Sequence, residues 1–344
     1  MRKITRRSFL TAAAACGAAA ALSACGGSSS ASSSAAASST VASASVAAAS
    51  NGEKFTVGIC QLVQHAALDA ATQGFEDALA ASFGENVTFD FQNAQGDSAT
   101  CATIANGFVS SGVALIMANA TPALQAAQAA TNTIPILGTS VTEYGVALGL
   151  DNFSGTVGGN VSGTSDLAPL DQQADMIVEW MPEVKKVGLL YCSAEANSAY
   201  QIGVIEGYLT EMGYNCTEYA FTDTNDVSAV TANACAASDV IYIPTDNTAA
   251  SCAEAIRNVV ETERVPVVAG EEGLCKGCGV ATLSISYYDL GYATGEMAYE
   301  ILVEGADVSA MEVRYAPQFT KEYNAELCEL LGVTVPDGYA AIAE

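Results

Sequence analysis

The sequence predicts an α/β protein made of two doubly wound lobes that several chain crossings join as a hinge. Short apolar strands alternate with Ala-rich helical segments throughout residues 53–344. This alternation is typical of parallel sheets that carry helices on both faces. The pattern also occurs twice, at an offset of about 130 residues. Such a duplication predicts two similar lobes with a ligand cleft between them.

The first half of the chain reads as four strands separated by three helices. The strands are KFTVGICQ, VTFDFQNA, ALIMANA and IPILGT. The predicted helices cover residues 67–81, 97–111 and 122–131. Asp97 is a favourable cap for the second helix, and Pro122 suits the first turn of the third.

The second half repeats this order of elements. Its strands are KKVGLLYC, CTEYAFTD, DVIYIPTD and VPVVAGEEG, and its helices are predicted over residues 196–212, 226–236 and 248–262. ALIMANATPA aligns with DVIYIPTDNT, and IPILGT aligns with VPVVAG. Trp180 falls in a further helical segment, where we expect it to belong to the core.

The points where the repeat breaks predict how the chain is divided between the lobes. Lobe one is predicted to contain residues 53–162 and 285–312, and lobe two residues 163–284 and 313–344. We expect the chain to cross between the lobes near Asn160–Leu167, Leu283–Gly291 and Met311–Pro317. Glycines and extended residues at these places suit hinge segments.

The N-terminus has the layout of an export signal. A basic start is followed by a short apolar run within residues 1–24, too short and Ala-rich for a transmembrane helix. TRRSFL resembles a twin-arginine signal, although an ordinary basic start is the alternative. LSAC resembles a lipobox and predicts lipidation of Cys25, followed by a Ser/Ala-rich tether over residues 25–52. We therefore expect an exported protein that is lipid-anchored to the outer face of the cell membrane.

Charge narrows the range of partners. Without the four basic residues of the signal, the chain has eight basic residues against 38 acidic ones, a formal charge of −30. Such a surface repels nucleic acids and anionic lipid headgroups. We expect no nucleic-acid partner, and contact with the membrane only through the lipid anchor.

The cysteines indicate packing rather than a disulfide framework. Nine remain beyond Cys25, an odd number, and most lie inside apolar runs. The one closely spaced pair, Cys275 and Cys278, has no second pair to complete a zinc site and no thioredoxin-like context. It predicts a turn, either with two unpaired thiols or with one local disulfide.

Motifs along almost the whole chain after the tether resemble one family. In order they are VGICQLVQHAALDAATQGFEDAL, FQNAQGD, ATPALQAA, IPILGTSVTE, VSGTSDL, VGLLYCSAEANS, IYIPTDNT, VPVVAGEEG and YYDLGYATGEMA. They are similar to the ABC-transporter substrate-binding family that includes tryptophan- and phenylalanine-binding lipoproteins. The resemblance implies the type I periplasmic-binding-protein fold. The chain departs from the family at Ala66, where proline usually follows the histidine.

In this architecture, ligands bind at the carboxyl ends of the strands. Lobe one offers candidate ligand-binding residues in three such loops: Gln61, His65, Thr121, Thr139 and Ser140. The first turn of the helix that begins near Thr121 suits a ligand carboxylate.

Lobe two offers a complementary set of ligand-binding candidates: Asn197, Ser198, Asp246, Asn247 and Glu271. Asp246 would pair with a ligand ammonium, and this division of charge suits an α-amino acid. The alternative is that Asp246 caps the following helix, and the same alternative applies to Asn197 or Ser198 at the start of the helix that contains them.

Two further candidates lie beside the predicted crossings. Asp166 and Tyr287 would close over the ligand, and Tyr287 or Tyr288 would supply an aromatic wall. For Tyr287 and Tyr288 the alternative is ordinary packing. Tyr287 is the one of these that we include among the ligand-binding residues.

His65 is the only histidine of the chain and precedes Asp69 by four residues. No other histidine is available for a metal site, and no nucleophile motif accompanies the His–Asp pair. His65 is then a cap or loop residue, a ligand contact, or a residue that takes part in lobe closure. We expect no catalytic residue, no cofactor and no metal.

Together, these features and the resemblance predict a solute-binding protein of an ABC importer rather than an enzyme. Its solute would be a small molecule, an amino acid first of all and an aromatic one among the candidates. Its partners would be ABC permease subunits, and the protein itself a monomer. The alternatives are a signalling receptor of the same fold and a sugar- or nucleoside-binding protein.

Overall fold

A computed structural model describes residues 54–343 of the chain. The predicted signal peptide, the lipidation site at Cys25 and the tether lie outside the described residues. Within residues 54–343, none of the helices is both long enough and apolar enough to cross a membrane. The described residues all belong to one compact unit, so the two lobes are described together.

Strands and helices alternate along the described chain, as the sequence predicts. The strands are β1 (Phe55–Gln61), β2 (Val87–Asn93), β3 (Leu115–Asn119), β4 (Ile136–Val141), β5 (Val161–Ser165), β6 (Lys186–Cys192), β7 (Asn215–Phe221), β8 (Val240–Ile243), β9 (Val267–Ala269), β10 (Ala281–Ser284), β11 (Arg314–Tyr315), β12 (Thr320–Tyr323) and β13 (Ala340–Ala341). The helices are α1 (Ala66–Phe83), α2 (Ser98–Ser111), α3 (Thr121–Ala130), α4 (Tyr144–Leu148), α5 (Leu170–Trp180), α6 (Ala196–Glu211), α7 (Val227–Ala237), α8 (Asn247–Ser251), α9 (Ala253–Glu263), α10 (Glu272–Cys278), α11 (Tyr287–Leu302) and α12 (Ala325–Leu331).

The two sheets share one strand order, and this confirms the predicted pair of doubly wound lobes. The sheet of lobe one runs β11-β5-β4-β3-β1-β2, and that of lobe two runs β13-β12-β10-β9-β8-β6-β7. When β11 is left out of the first sheet and β12 and β13 out of the second, five strands remain in each. Numbered from the first strand of each lobe, both sets have the order 5-4-3-1-2, and all neighbouring strands pair in parallel. The carboxyl ends of the strands therefore lie at one edge of each sheet.

The chain crosses between the lobes slightly later than predicted at two of the three places. Val161–Ser165 pairs with β4, and Arg314–Tyr315 pairs in turn with Val161–Ser165. Both segments therefore belong to the sheet of lobe one, which extends beyond the predicted limits at residues 162 and 312. The crossings are residues 166–169, 285–286 and 316–319; the second lies within the stretch predicted for it, and the first and third extend two residues beyond theirs.

The helix that follows the second crossing is fixed to lobe one by close contact between α1 and α11. A Cβ on Gly291 would lie 1.9 Å from the carbonyl oxygen of Ala71. A Cβ on Gly74 would lie 2.0 Å from the carbonyl oxygen of Tyr288. Since real Cβ atoms do not approach backbone oxygens so closely, only glycine at these positions permits this helix packing.

Local sequence signals explain most element boundaries. The Asp97 carboxylate accepts a hydrogen bond from the backbone N–H of Ala99 and caps α2, and Pro122 lies in the first turn of α3. The helix predicted over residues 248–262 is instead two helices, α8 and α9, which meet at Cys252. The predicted single helix is wrong at this point.

The cysteines of the described chain are all unpaired thiols. Cys275 and Cys278 lie in α10, so the turn predicted there is wrong, and no disulfide joins them. Both are buried among apolar side chains of lobe two, where burial raises the pKa of each thiol. Trp180 is 5% exposed and belongs to the other core cluster of lobe two, as predicted.

Candidate functional site

The predicted ligand-binding residues line the facing strand ends of the two lobes, and the structure buries nearly all of them. His65 is half-buried. The other ten are less than 9% exposed: Gln61, Thr121, Thr139, Ser140, Asn197, Ser198, Asp246, Asn247, Glu271 and Tyr287. Because burial of so many polar groups is costly without partners, the hydrogen bonds of each decide what it can do.

Unpaired polar atoms concentrate at these strand ends. Seven buried side-chain nitrogen or oxygen atoms of the described chain lack a hydrogen-bond partner. Five of them belong to residues at or just after a strand end: His65 Nδ1, Asn119 Oδ1, Ser140 Oγ, Asp166 Oδ1 and Asn197 Oδ1. Native interiors contain few such atoms. These five atoms are therefore candidates for hydrogen bonds to a bound polar molecule.

His65 joins the two lobes directly. It occupies the N-cap position of α1 in lobe one without a side-chain capping hydrogen bond, and its Nε2 lies 3.2 Å from the side-chain oxygen of Asn247 in lobe two. Burial lowers the pKa of His65, although the bond to Asn247 and the nearby carboxylates of Glu195 and Asp69 act in the opposite direction. The ring is therefore neutral at neutral pH.

Glu195 holds the partner of His65 in place. Its Oε2 accepts a hydrogen bond from the side-chain nitrogen of Asn247 at 2.7 Å. Its Oε1 accepts two more, from the backbone N–H and the hydroxyl of Thr248 at 2.8 and 2.7 Å. The buried carboxylate thus fixes the start of α8, and it fixes which end of the Asn247 amide faces lobe one.

Asp246 is turned into lobe two rather than into the cleft. Its Oδ1 accepts from the backbone N–H of Ala249 at 2.8 Å and caps α8, and its Oδ2 accepts from the N–H of Cys192 at 2.6 Å. Burial and the neighbouring Glu195 raise the pKa of Asp246 to about 7. The geometry matches the capping alternative, and both of its oxygens are already engaged.

Asp166 has the free carboxylate oxygen of the cleft. It directly follows β5 at the first crossing and is 3% exposed. Its Oδ2 accepts a hydrogen bond from the Tyr287 hydroxyl at 3.0 Å, whereas Oδ1 is buried without a partner. Burial raises the pKa of Asp166 to about 6. Of the carboxylates that line the strand ends, this one is best placed to receive a donor from a bound molecule.

Two predicted residues have structural roles within one lobe. Gln61 donates to the carbonyl of Val63 and to Asp69 Oδ1, and its oxygen accepts from the Thr72 hydroxyl at 2.7 Å. Its amide therefore has no free group for a ligand, and Asp69 orients it. Glu271 caps α10 through the N–H groups of Gly273 and Leu274, and burial raises its pKa to about 7.

The strand ends of lobe one contain backbone strain. Ala120 has φ 92° and ψ 157°, a region that favours glycine, and Ser140 has φ 53°. Each of these conformations costs about 1–3 kcal/mol in a residue with a side chain and is found mainly at functional sites. Thr121 and Thr139, beside them, are buried with their hydroxyls at the same edge of the sheet.

The buried acids of the cleft have no basic partners. The salt bridges found within residues 54–343 involve only Arg257, Arg314 and Lys321, with carboxylates elsewhere. Asp166, Glu195, Asp246 and Glu271 are thus all buried without a cationic side chain. A site of this charge favours a ligand with a positive group.

A cavity of about 250 Å³ is lined by residues of both lobes. Leu62, Val63 and Pro122 line it from lobe one, and Ala194, Glu195 and Thr248 are among its lining residues from lobe two. None of the five residues with unpaired atoms lines it, so this cavity by itself does not locate the solute.

Known proteins match the chain over the same region. A family model described as ABC transporter substrate binding protein matches residues 56–344. The chain belongs to the ABC transporter substrate-binding protein family. Members of this family bind solutes and are not enzymes, which agrees with the expectation from the sequence.

Relatives of this substrate-binding protein include one whose solute is named. The chain is 38% identical over 275 residues to a tyrosine-binding protein of Clostridioides difficile, covering 77% of this chain and 79% of the relative. It is 30% identical to a structure from Streptococcus pneumonia in complex with L-Trp, with a TM-score of 0.80 over 84% of this chain and all of the other.

A third related structure is described as ligand-free and open. A ligand-free, open substrate-binding protein with adhesive properties from Clostridium difficile is 37% identical, covers 84% of this chain and 99% of its own, and has a TM-score of 0.64. A leucine-binding protein from Thermotoga maritima, at 15% identity and a TM-score of 0.54, shares the fold.

The export signal of this substrate-binding protein is of the twin-arginine type. A twin-arginine signal model matches residues 3–23, so of the two routes considered, the twin-arginine one is confirmed and the protein is exported.

The structure adds Asn119 to the site, a residue that we did not predict from the sequence. It ends β3, and its amide nitrogen donates to the Leu68 carbonyl and the Thr72 hydroxyl, which leaves the oxygen unpaired. The available signal was a polar residue at the end of the apolar strand ALIMANA. Asp166, expected only to close over the ligand, becomes the central carboxylate.

Proposed function

We propose that this substrate-binding protein captures an L-amino acid with an aromatic side chain in the cleft between its lobes and delivers it to an ABC importer. The observation that carries the proposal is the free, buried oxygen of Asp166, in a cleft whose acids have no basic partner. An α-ammonium group supplies both the positive charge and the hydrogen-bond donors that this cleft lacks.

The ligand carboxylate would lie against lobe one. The first turn of α3 begins at Thr121, directly after the strained Ala120, and presents N–H groups of a helix N-terminus. The unpaired hydroxyl of Ser140 lies at the next strand end and can donate a hydrogen bond to an anion. The predicted division of charge is thus kept, but the ammonium partner becomes Asp166 instead of Asp246.

The aromatic side chain is supported by two relatives, one named for tyrosine and one bound to L-Trp. Tyr287, 6% exposed and bonded to Asp166, would form part of the wall beside the ligand. Tyr288 is 39% exposed and bonds to Asp77 of lobe one, so it packs outside the cleft. Sugar- and inositol-binding proteins resemble the chain at only 13–15% identity, which supports a common fold and not a common ligand.

Capture would proceed by closure of the lobes about the three crossings. The open relative is more similar in sequence than the L-Trp complex, 37% against 30% identity, yet superposes less well. Rotation of two otherwise similar lobes accounts for this inversion, because a superposition over both lobes is lowered by their relative orientation. The lobes of this chain would therefore be in the closed arrangement.

The remaining parts of the proposal concern location and partners. Lipidation of Cys25 would hold the exported protein at the outer face of the membrane, and the closed monomer would dock on the permease subunits. A signalling receptor of the same fold is the second candidate function, but no observation in this structure favours it.

A thermal-shift screen of the chain without residues 1–24 tests the ligand class. At a hundredfold excess over Kd, a bound solute raises the free energy of unfolding by about 2.7 kcal/mol. We expect such a shift with L-tyrosine, L-tryptophan or L-phenylalanine and none with hexoses or nucleosides. A shift with a hexose or nucleoside and with none of the amino acids would refute the proposed ligand class.

A further inference from the structure

His65 is placed to sense both the opposite lobe and the bound molecule, because its two ring nitrogens have different surroundings. Nε2 lies 3.2 Å from the side-chain oxygen of Asn247, across the cleft. Nδ1 is buried and has no partner.

The hydrogen bonds of Asn247 determine which nitrogen of His65 carries the proton. The amide nitrogen of Asn247 donates to Glu195 Oε2 at 2.7 Å, so its oxygen is the atom that faces His65. An amide oxygen only accepts, and therefore Nε2 of His65 is the donor. In a neutral ring, Nδ1 is then an unprotonated acceptor.

A buried acceptor without a donor disfavours the closed arrangement when the cleft is empty. A captured solute with N–H groups supplies the missing donor, and it does so only where the lobes are closed around it. The two ring nitrogens of His65 therefore link solute binding to lobe closure.

We propose that His65 couples solute capture to lobe closure: Nε2 donates to Asn247 of lobe two, and Nδ1 accepts a hydrogen bond from an N–H group of the solute. This inference rests on the proposed function for the identity of the donor, an ammonium or an indole N–H. The bond between the lobes itself does not depend on which solute is bound.

Two substitutions separate the tasks of the ring. His65→Gln places an amide near the position of Nε2 and retains a donor for Asn247, but it has no acceptor at the position of Nδ1. His65→Asn places an amide near Nδ1 and is too short to reach Asn247. Gln73→Ala is the matched control, since Gln73 is exposed on α1 and bonds only to Asp77 of the same helix.

The first measurement is the lobe arrangement without solute, by small-angle X-ray scattering of the chain lacking residues 1–24. His65→Gln removes the unpaired acceptor and keeps the contact between the lobes, so the empty protein should have a smaller radius of gyration than the wild type. His65→Asn should have a radius at least as large as the wild type. The inference is overturned if His65→Gln closes no further than the wild type, whichever solute the protein binds.

The second measurement is the affinity for L-tyrosine and L-tryptophan by titration calorimetry. His65→Gln should bind the preferred one roughly tenfold more weakly than the wild type, since one buried hydrogen bond is lost. The same variant would thus close more readily and bind less tightly, whereas a merely structural role would shift both quantities in one direction. Unchanged affinity of His65→Gln would overturn the inference. If the wild type binds neither amino acid, the proposed function fails, and the scattering result still decides the role of the Nε2 bond.

Discussion

Replacing Asp166 with asparagine is expected to weaken binding of the aromatic amino acid about 100-fold. The Asp166 side chain is buried, and its Oδ1 is the free carboxylate oxygen at the strand ends. Loss of one partner of a buried charge pair costs about 2–5 kcal/mol. Asparagine keeps the volume and still accepts a hydrogen bond from Tyr287, so the change removes mainly the charge. Titration calorimetry gives the affinity directly.

The matched variant is Asp246→Asn, at the acid that the sequence favoured for the ammonium. Both Asp246 oxygens accept backbone N–H groups within lobe two, so we expect this change to lower the melting temperature and to alter affinity less than Asp166→Asn does. If Asp166→Asn binds within twofold of the wild type while Asp246→Asn loses binding, the ammonium contact belongs to Asp246.

The solute-free protein is expected to lose stability as the pH rises from about 4 to about 7. Burial raises the pKa of Asp166 from 3.8 to about 6, of Asp246 from 3.8 to about 7, and of Glu271 from 4.5 to about 7. In this window the folded state binds more protons than the unfolded state, so the free energy of unfolding decreases with pH. One pKa unit corresponds to about 1.4 kcal/mol, so the combined loss from the three acids should amount to several kcal/mol.

Groups with the opposite sign act partly within this window and partly below it. The lowered pKa of His65 makes stability rise with pH up to about 6.5, but it is a single group. Hydrogen bonds lower the pKa of exposed acids such as Asp97 and Asp307, whose contribution is lost below about pH 4. Urea unfolding at pH 5 and pH 8 without solute measures the difference. Equal or greater stability at pH 8 would contradict the raised pKa values of Asp166, Asp246 and Glu271.

Much of the fold was predictable from the sequence because its signals are local and occur twice. A few neighbouring residues were enough to predict each of these local features: the alternation of strands and helices, the cap at Asp97 and the position of Pro122 in α3. The exact positions of the first and third crossings were not predictable, because the short pairings of β5 and β11 depend on neighbouring strands that are distant in sequence. The break at Cys252 and the helix containing Cys275 likewise reflect packing within lobe two.

The placement of the candidate residues at the strand ends was predictable, but the direction of their side chains was not. Strand ends of a parallel sheet gather at one edge, and this placed Gln61, His65, Asp246 and Glu271 together. Whether a side chain faces the cleft or its own lobe depends on which backbone N–H groups it meets there. The side chains of Gln61, Asp246 and Glu271 form hydrogen bonds within their own lobe, whereas one carboxylate oxygen of Asp166 has no hydrogen-bond partner.

The central claim is that the cleft binds an α-amino acid through both of its charged groups, with Asp166 at the ammonium and lobe one at the carboxylate. Titration calorimetry of L-tyrosine against tyramine and 3-(4-hydroxyphenyl)propionate tests it most directly, with L-tryptophan and its corresponding analogues as the second series. The account predicts measurable binding of at least one amino acid, and affinity at least about 100-fold weaker for the analogues that lack its carboxylate or its amine. Equal affinity for an amino acid and its deaminated analogue, or binding of a hexose or nucleoside with none of the amino acids, would contradict it.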